Sequence, residues 1–144
     1  MKVKAIIYQS KQGTSKAYAK LFASIVKVPT FSLEEAKFNV LENSEVIYFS
    51  YIDKGKIKDY HKIKDLYDIK AAAIAHILPT TKEEVIKQND LHARLFLLEG
   101  SFDIHKLKGL DKLLAKFVMK DVSKIEHEIS KKDLEELLDF YYYA

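Results

Sequence analysis

The sequence predicts an α/β domain: a doubly wound sheet of five parallel strands with helices on both faces. Three observations predict it. Apolar runs of strand length alternate with stretches of helical periodicity along the chain. Such alternation implies parallel pairing through right-handed crossovers. With four Gly and two Pro in 144 residues, connections should be short and regular elements long.

The elements are expected in this order. "VKAIIY" (Val3 to Tyr8) reads as a strand buried on both faces. "TSKAYAKLFASIV" reads as a helix, with Tyr18, Leu21, Phe22 and Ile25 at helical spacing. "VPTF" is a short strand, placed at an edge because Pro29 has no N–H to give to a ladder. "EVIYFS" (Glu45 to Ser50) is the third strand. A weaker helix comes after "YIDKGK", with Ile57, Tyr60 and Ile63 as its apolar positions. "AAAIAHIL" (Ala71 to Leu78) is ambiguous because alanine favours helix, but its length and the Pro79 that ends it favour a strand. Thr81 to Glu84 has capping-box spacing and opens a helix. "ARLFLLEG" is the fifth strand, and "GLDKLLAKFVMK" a helix. "SKKDLEELLDFYYY" closes the chain as another helix, with Ser130 as N-cap and Asp133 three residues on.

Composition narrows the function classes. Residues 1–144 suit one domain, and 48% hydrophobic with 31% charged residues describes a globular chain. No apolar run is long enough to span a bilayer, and the N-terminus lacks a signal peptide's apolar region and cleavage site, so a cytoplasmic location is expected. The chain has no cysteine, which excludes disulfides and thiolate chemistry. A net charge of +3 is too mild to imply nucleic acid. His61, His76, His92, His105 and His127 show no metal-ligand spacing, so no metal is expected.

The most informative stretch is "YQSKQGTSKAYA", residues 8–19, where the first strand gives way to the first helix. In open parallel sheets ligands bind beyond the carboxyl ends of the strands, at the switch in strand order. A helix N-terminus there offers unpaired N–H groups and a partial positive charge to a phosphate. Ser10, Thr14 and Ser15 add hydroxyls, Gly13 lets the backbone approach or take positive φ, and Lys11 and Lys16 add charge. The loop lacks G-x-x-x-x-G-K-[ST] and G-x-G-x-x-G, which argues against a nucleoside triphosphate or a dinucleotide pyrophosphate. What remains is a cradle for one terminal phosphate ester, or an ordinary strand-to-helix turn.

"AIIYQSKQGTSKAYAKLFA" resembles the opening strand, phosphate loop and first helix of flavodoxin-like proteins. The resemblance implies strand order 2-1-3-4-5 and a bound flavin mononucleotide (FMN). "VIYFSYIDKGKI" is similar to the family's third strand and second flavin loop. "FLLEGSFDIHKLKGLDKLLAKFVMK" resembles its last strand, the loop after that strand and the final-helix region. By this resemblance Ser10, Lys11, Gln12, Gly13, Thr14 and Ser15 form the phosphate loop. Tyr51, Ile52, Asp53, Lys54 and Gly55 form the second flavin loop, and Gly100 is the glycine after the fifth strand. Tyr51 is the aromatic placed for a ring contact. Asp53 or Lys54 beside the ring would shift its potential in opposite directions.

FMN would carry the chemistry, with the protein positioning and tuning it in electron transfer or oxidoreduction. The partner would be a redox protein or a small redox substrate. Two alternatives stand beside this reading: an enzyme similar to the flavodoxin-type protoporphyrinogen oxidases, and a cofactor-free binding module on the same fold. A signalling receiver domain is disfavoured, because no acidic pair comes after the first strand. Further features fit ordinary roles. Lys108, Lys112, Lys116 and Lys120 share one helix face, which suits solvent, an acidic partner or peripheral membrane contact. Asp103 and His105 fall in the loop after the fifth strand, and "DFYYYA" reads as the docking end of a terminal helix.

Overall fold

The computed structural model describes residues 2–11, 13–76, 80–99 and 131–143. Five parallel strands form its sheet: β1 (Ala5–Tyr8), β2 (Thr30–Ser32), β3 (Glu45–Asp53), β5 (Asp68–His76) and β6 (Arg94–Glu99). A two-residue strand, β4 (Lys56–Ile57), folds back antiparallel on the end of β3. Across the sheet the order is β2-β1-β3-β5-β6. With the short β4 set aside this is the 2-1-3-4-5 order of the flavodoxin-like doubly wound fold. The switch in direction falls between β1 and β3, which pair from Ala5↔Val46 to Tyr8↔Phe49.

Helices α1 (Thr14–Val26) and α5 (Lys131–Tyr143) pack on one face of the sheet. Helices α2 (Leu33–Asn39), α3 (Tyr60–Leu66) and α4 (Lys82–Asn89) lie on the other. Strand residues alternate between the two cores, as a pleated strand buried on both faces must. Ile47 and Phe49 join α1 and α5, while Val46 and Tyr48 join the other face.

The alanine-rich run is a strand, and its register shows why. Ala72 and Ala73 sit opposite Tyr48 and Phe49 on one side and Leu95 and Phe96 on the other. Large side chains on the neighbouring strands fill the space that alanine leaves. Burial in the middle of the sheet outweighs alanine's helix propensity here.

Two elements differ from the sequence expectation. Helix α2 is absent from that expectation. Ser32 caps it, accepting from the Glu35 N–H at 3.1 Å, while the Glu35 carboxylate accepts from the Ser32 N–H at 3.0 Å. Its S-x-x-E signature stands in the sequence but lies within a stretch of weak apolar pattern. Ile57, expected in a helix, belongs to β4, and α3 begins only at Tyr60. The helix Gly109–Lys120, its lysine face, Ser130, Asp103, His105, Gln12 and Gly100 lie outside the described residues.

Candidate functional site

The site is built where β1 ends beside β3. After Tyr8, the Gln9 N–H still donates to the Phe49 carbonyl at 2.9 Å, so the loop leaves the sheet with its first residue tied to β3. Ser10 then closes the turn: its Oγ accepts from the Gly13 N–H at 2.9 Å. Gly13 is the N-cap of α1 and takes φ +94°, in the left-handed region that favours glycine.

Helix α1 consequently begins with no side-chain cap and no carboxylate in its first turn. Among described residues, the open donors of that turn are the N–H groups of Thr14, Ser15 and Lys16, since Ala17 already bonds to the Gly13 carbonyl at 2.9 Å. Among the described residues, nothing lies within 4 Å of the point where a Cβ on Gly13 would sit. The positive pole of this thirteen-residue helix lies beside the strand switch. A helix start of this kind is a place where an anion is stabilised.

The hydroxyls and lysines divide their roles. Ser15 is buried, and its Oγ donates to the Ser50 carbonyl at 2.8 Å, which ties α1 to β3 and commits that proton. Thr14 is half-buried and Lys11 exposed. Lys16 is half-buried. The Ser32 backbone and side-chain hydrogen bonds hold the Glu35 carboxyl below its usual range, and the charges of Lys20 and then Lys16 add to this.

The second loop is a tight hairpin. Asp53 pairs with Lys56 and Ile52 with Ile57. The two residues between, Lys54 and Gly55, both have positive φ, +52° and +79°, as a two-residue type I′ turn requires. Asp53 and Lys54 are exposed and Gly55 is half-buried. Ile52 packs against the core on the α2–α4 side, so its side chain serves packing. Tyr51 is half-buried at the end of β3, and its carbonyl accepts from the Lys58 N–H at 3.0 Å. Burial raises the Tyr51 phenol above its ordinary pKa, and the negative charges of Asp53 and Asp59 add to that.

Residues without a motif of their own bind these parts together. The Asp59 carboxylate accepts from Gln9 Nε2 at 2.7 Å and lies 3.7 Å from the Lys62 ammonium. The Lys58 carbonyl accepts from both the Tyr48 hydroxyl, at 2.6 Å, and the Ser50 hydroxyl, at 3.0 Å. Asn89, at the end of α4, accepts from the Ile57 N–H at 2.8 Å. No spacing rule in a single sequence brings Gln9 to Asp59 or Ile57 to Asn89, because these contacts are made only by the folded sheet.

A groove of about 460 Å³ opens at the opposite end, by the amino ends of β5 and β6, between Tyr60, Tyr67 and Lys70. Its cations are engaged. Lys70 lies 2.9 Å from Asp68 and 3.6 Å from Glu45, and Lys64 sits over the Tyr60 ring. The groove is at the wrong end of the strands for the ligand position this sheet topology favours. Among the described residues no cluster of three or more His, Asp or Glu could hold a metal ion, and no helix is long and apolar enough to cross a membrane.

No family model matches the chain, and no curated protein matches it. Among solved structures it is similar to the flavodoxin, WrbA-like protein from Agrobacterium tumefaciens, at 10% sequence identity and a TM-score of 0.43, over 79% of this chain and 93% of that one. The flavodoxin-like fold is read from the chain's own strand order and from helices packed on both faces of its sheet.

Proposed function

We propose that this protein binds FMN without a covalent link and serves in electron transfer or FMN-dependent oxidoreduction. The observation that carries the reading is the start of α1. An uncapped helix pole with no first-turn carboxylate, opened by Gly13 in a left-handed conformation, stands at the β1/β3 switch, and no described residue comes within 4 Å of the Gly13 Cβ position. The loop's sequence resemblance to flavodoxin phosphate loops supports the same ligand. In this reading the Ser10–Ser15 loop holds the phosphate and Tyr51 borders the ring. When bound, FMN supplies the electron-accepting chemistry. The chain's residues bind, orient and shield it. A redox protein or a small redox substrate is the partner.

The test is a titration of the purified chain with FMN, following flavin fluorescence and the melting temperature, beside an identical titration with riboflavin. Binding of FMN with clearly weaker binding of riboflavin is the expected result, since the phosphate contributes the helix-pole contacts. Equal affinity for both would remove the phosphate loop from the site. No binding of either would leave the cofactor-free binding module as the reading of this fold.

A further inference from the structure

Helix α4 ends against the second loop through one buried carboxamide. Asn89 is 1% exposed, although its neighbours Gln88 and Asp90 are exposed. A buried amide must place both its acceptor and its donors. Asn89 Oδ1 accepts from the Ile57 N–H at 2.8 Å. Its Nδ2 donates to the Val85 carbonyl at 2.9 Å, which fixes the side chain against its own helix, and approaches the Gly55 carbonyl at 3.4 Å. The adjoining contacts reinforce the junction. The Lys56 ammonium donates to the Gln88 carbonyl. A Cβ on Gly55 would lie 2.6 Å from Gln88 Oε1, so the turn sits directly against α4.

We propose that Asn89 is the positioning residue of the second loop. Its carboxamide grips the hairpin on both sides of Lys56, through the Gly55 carbonyl before β4 and the Ile57 N–H within it. The turn has no apolar core of its own: Asp53, Lys54 and Lys56 are all exposed. Ile57 is the buried residue of β4, and its amide is the one that Asn89 takes. Removing the carboxamide strands that N–H and frees the Gly55 carbonyl, so the turn can adopt other arrangements while the five-stranded sheet persists. The part of this inference that concerns the ligand rests on the FMN reading; the clamp itself does not.

Hydrogen exchange of the Ile57 amide in Asn89→Ala and Gln88→Ala, with FMN affinity measured on the same samples, tests the proposal. Asn89→Ala should raise Ile57 exchange about ten-fold or more, with the Ala17 amide of α1 unchanged as internal reference. FMN affinity should fall by at least about five-fold, because the loop must then be ordered on binding. Gln88→Ala, which leaves the carboxamide in place, should move neither readout beyond about two-fold. If Asn89→Ala fails to fold, Asn89→Asp replaces it. That variant keeps an acceptor for the Ile57 N–H and turns an oxygen toward the Val85 and Gly55 carbonyls, so FMN affinity should again fall. Unchanged Ile57 exchange in Asn89→Ala overturns the clamp. Faster exchange with unchanged FMN affinity overturns the positioning role. A native chain that binds no FMN refutes the flavin reading and the ligand half of this inference, while Ile57 exchange still decides the clamp.

Discussion

The Ser15 hydroxyl, buried in the first turn of α1, donates to the main-chain carbonyl of Ser50 near the end of β3 at 2.8 Å. The bond spans 35 residues of sequence and joins α1 to β3 beside the strand switch. It also separates the hydroxyls of the first loop by role: Ser10 shapes the turn, and Ser15 fastens the helix to the sheet. Ser15→Ala should cost about 1–2 kcal/mol, the usual range for a buried hydrogen bond whose acceptor is left short of a partner. Urea unfolding would register this as a lower midpoint at unchanged slope. A variant as stable as the native chain would show that Ser50 finds another donor.

Gly13 and Gly55 both hold positive φ, +94° and +79°, but differ in what surrounds them. Alanine at either position meets backbone strain of about 1–2 kcal/mol. At position 13 no contact adds to it, and Gly13→Asn should be milder than Gly13→Ala, because asparagine tolerates the left-handed region. At position 55 the new methyl meets Gln88 Oε1 at 2.6 Å, the far end of an exposed and flexible side chain. Combining Gly55→Ala with Gln88→Ala should therefore recover a small part of the loss, about 0.5 kcal/mol, and leave the strain. Denaturation of the four-member cycle decides it: full recovery by Gln88→Ala would mean that contact, and not backbone strain, sets the cost.

On the α1 face, Phe22 is fully buried with its ring centroid 5.7 Å from that of Phe49 and 5.8 Å from that of Tyr141, the latter edge-on. It joins α1, β3 and the terminal α5 in one aromatic cluster. Phe22→Ala should cost about 3–5 kcal/mol, as cavity-forming substitutions at large buried rings do. Tyr141→Ala, at a half-buried position, should cost less. The two should be non-additive, since removing either ring already loses their shared contact. Thermal unfolding of both single variants and the pair measures that coupling, and strict additivity would detach α5 from the Phe22 cluster.

Much of the sheet is legible in the sequence because its strands are short apolar runs and helices come between them. The hidden parts share one physical cause. Helix α2 carries a capping box, Ser32 to Glu35, but exposes Phe38 and buries only Leu33 and Ala36, so its periodicity is faint. The turn at Lys54–Gly55 carries its hairpin signal in one glycine, and the partner that fixes it, Asn89, is 34 residues away from Gly55. Ser15 is legible as a hydroxyl near a helix start, but its direction is not: only the pairing of β1 with β3 puts the Ser50 carbonyl within its reach. Sequence patterns report what a segment buries. They do not report which distant segment it is buried against.

Tyr48 gives a prediction in pH. It is fully buried in the middle of β3, and its hydroxyl donates to the Lys58 carbonyl at 2.6 Å. Burial pushes the phenol well above its ordinary pKa; the Ser50 hydroxyl opposes this, while Asp59 and Tyr51 add smaller increases. In the unfolded chain Tyr48 titrates near pH 10. Between that pH and the raised folded value, the folded state keeps a proton that the unfolded state has lost. The stability due to this proton is therefore fully present below about pH 10 and is lost above it, at up to about 1.4 kcal/mol per pH unit. Tyr48→Phe loses the bond to Lys58 at neutral pH, at a cost of about 1 kcal/mol, but has no such proton to lose. Ser50 Oγ still serves the Lys58 carbonyl in that variant. The gap in stability between native and Tyr48→Phe proteins should accordingly narrow as pH rises from about 9 to about 11, and urea unfolding across that range measures it. Tyr60 and Tyr67 are also raised by burial and remain in both proteins, so their effect cancels in the difference. A gap that stays constant through about pH 11 would mean that the Tyr48 phenol loses its proton as readily in the folded chain as in the unfolded one.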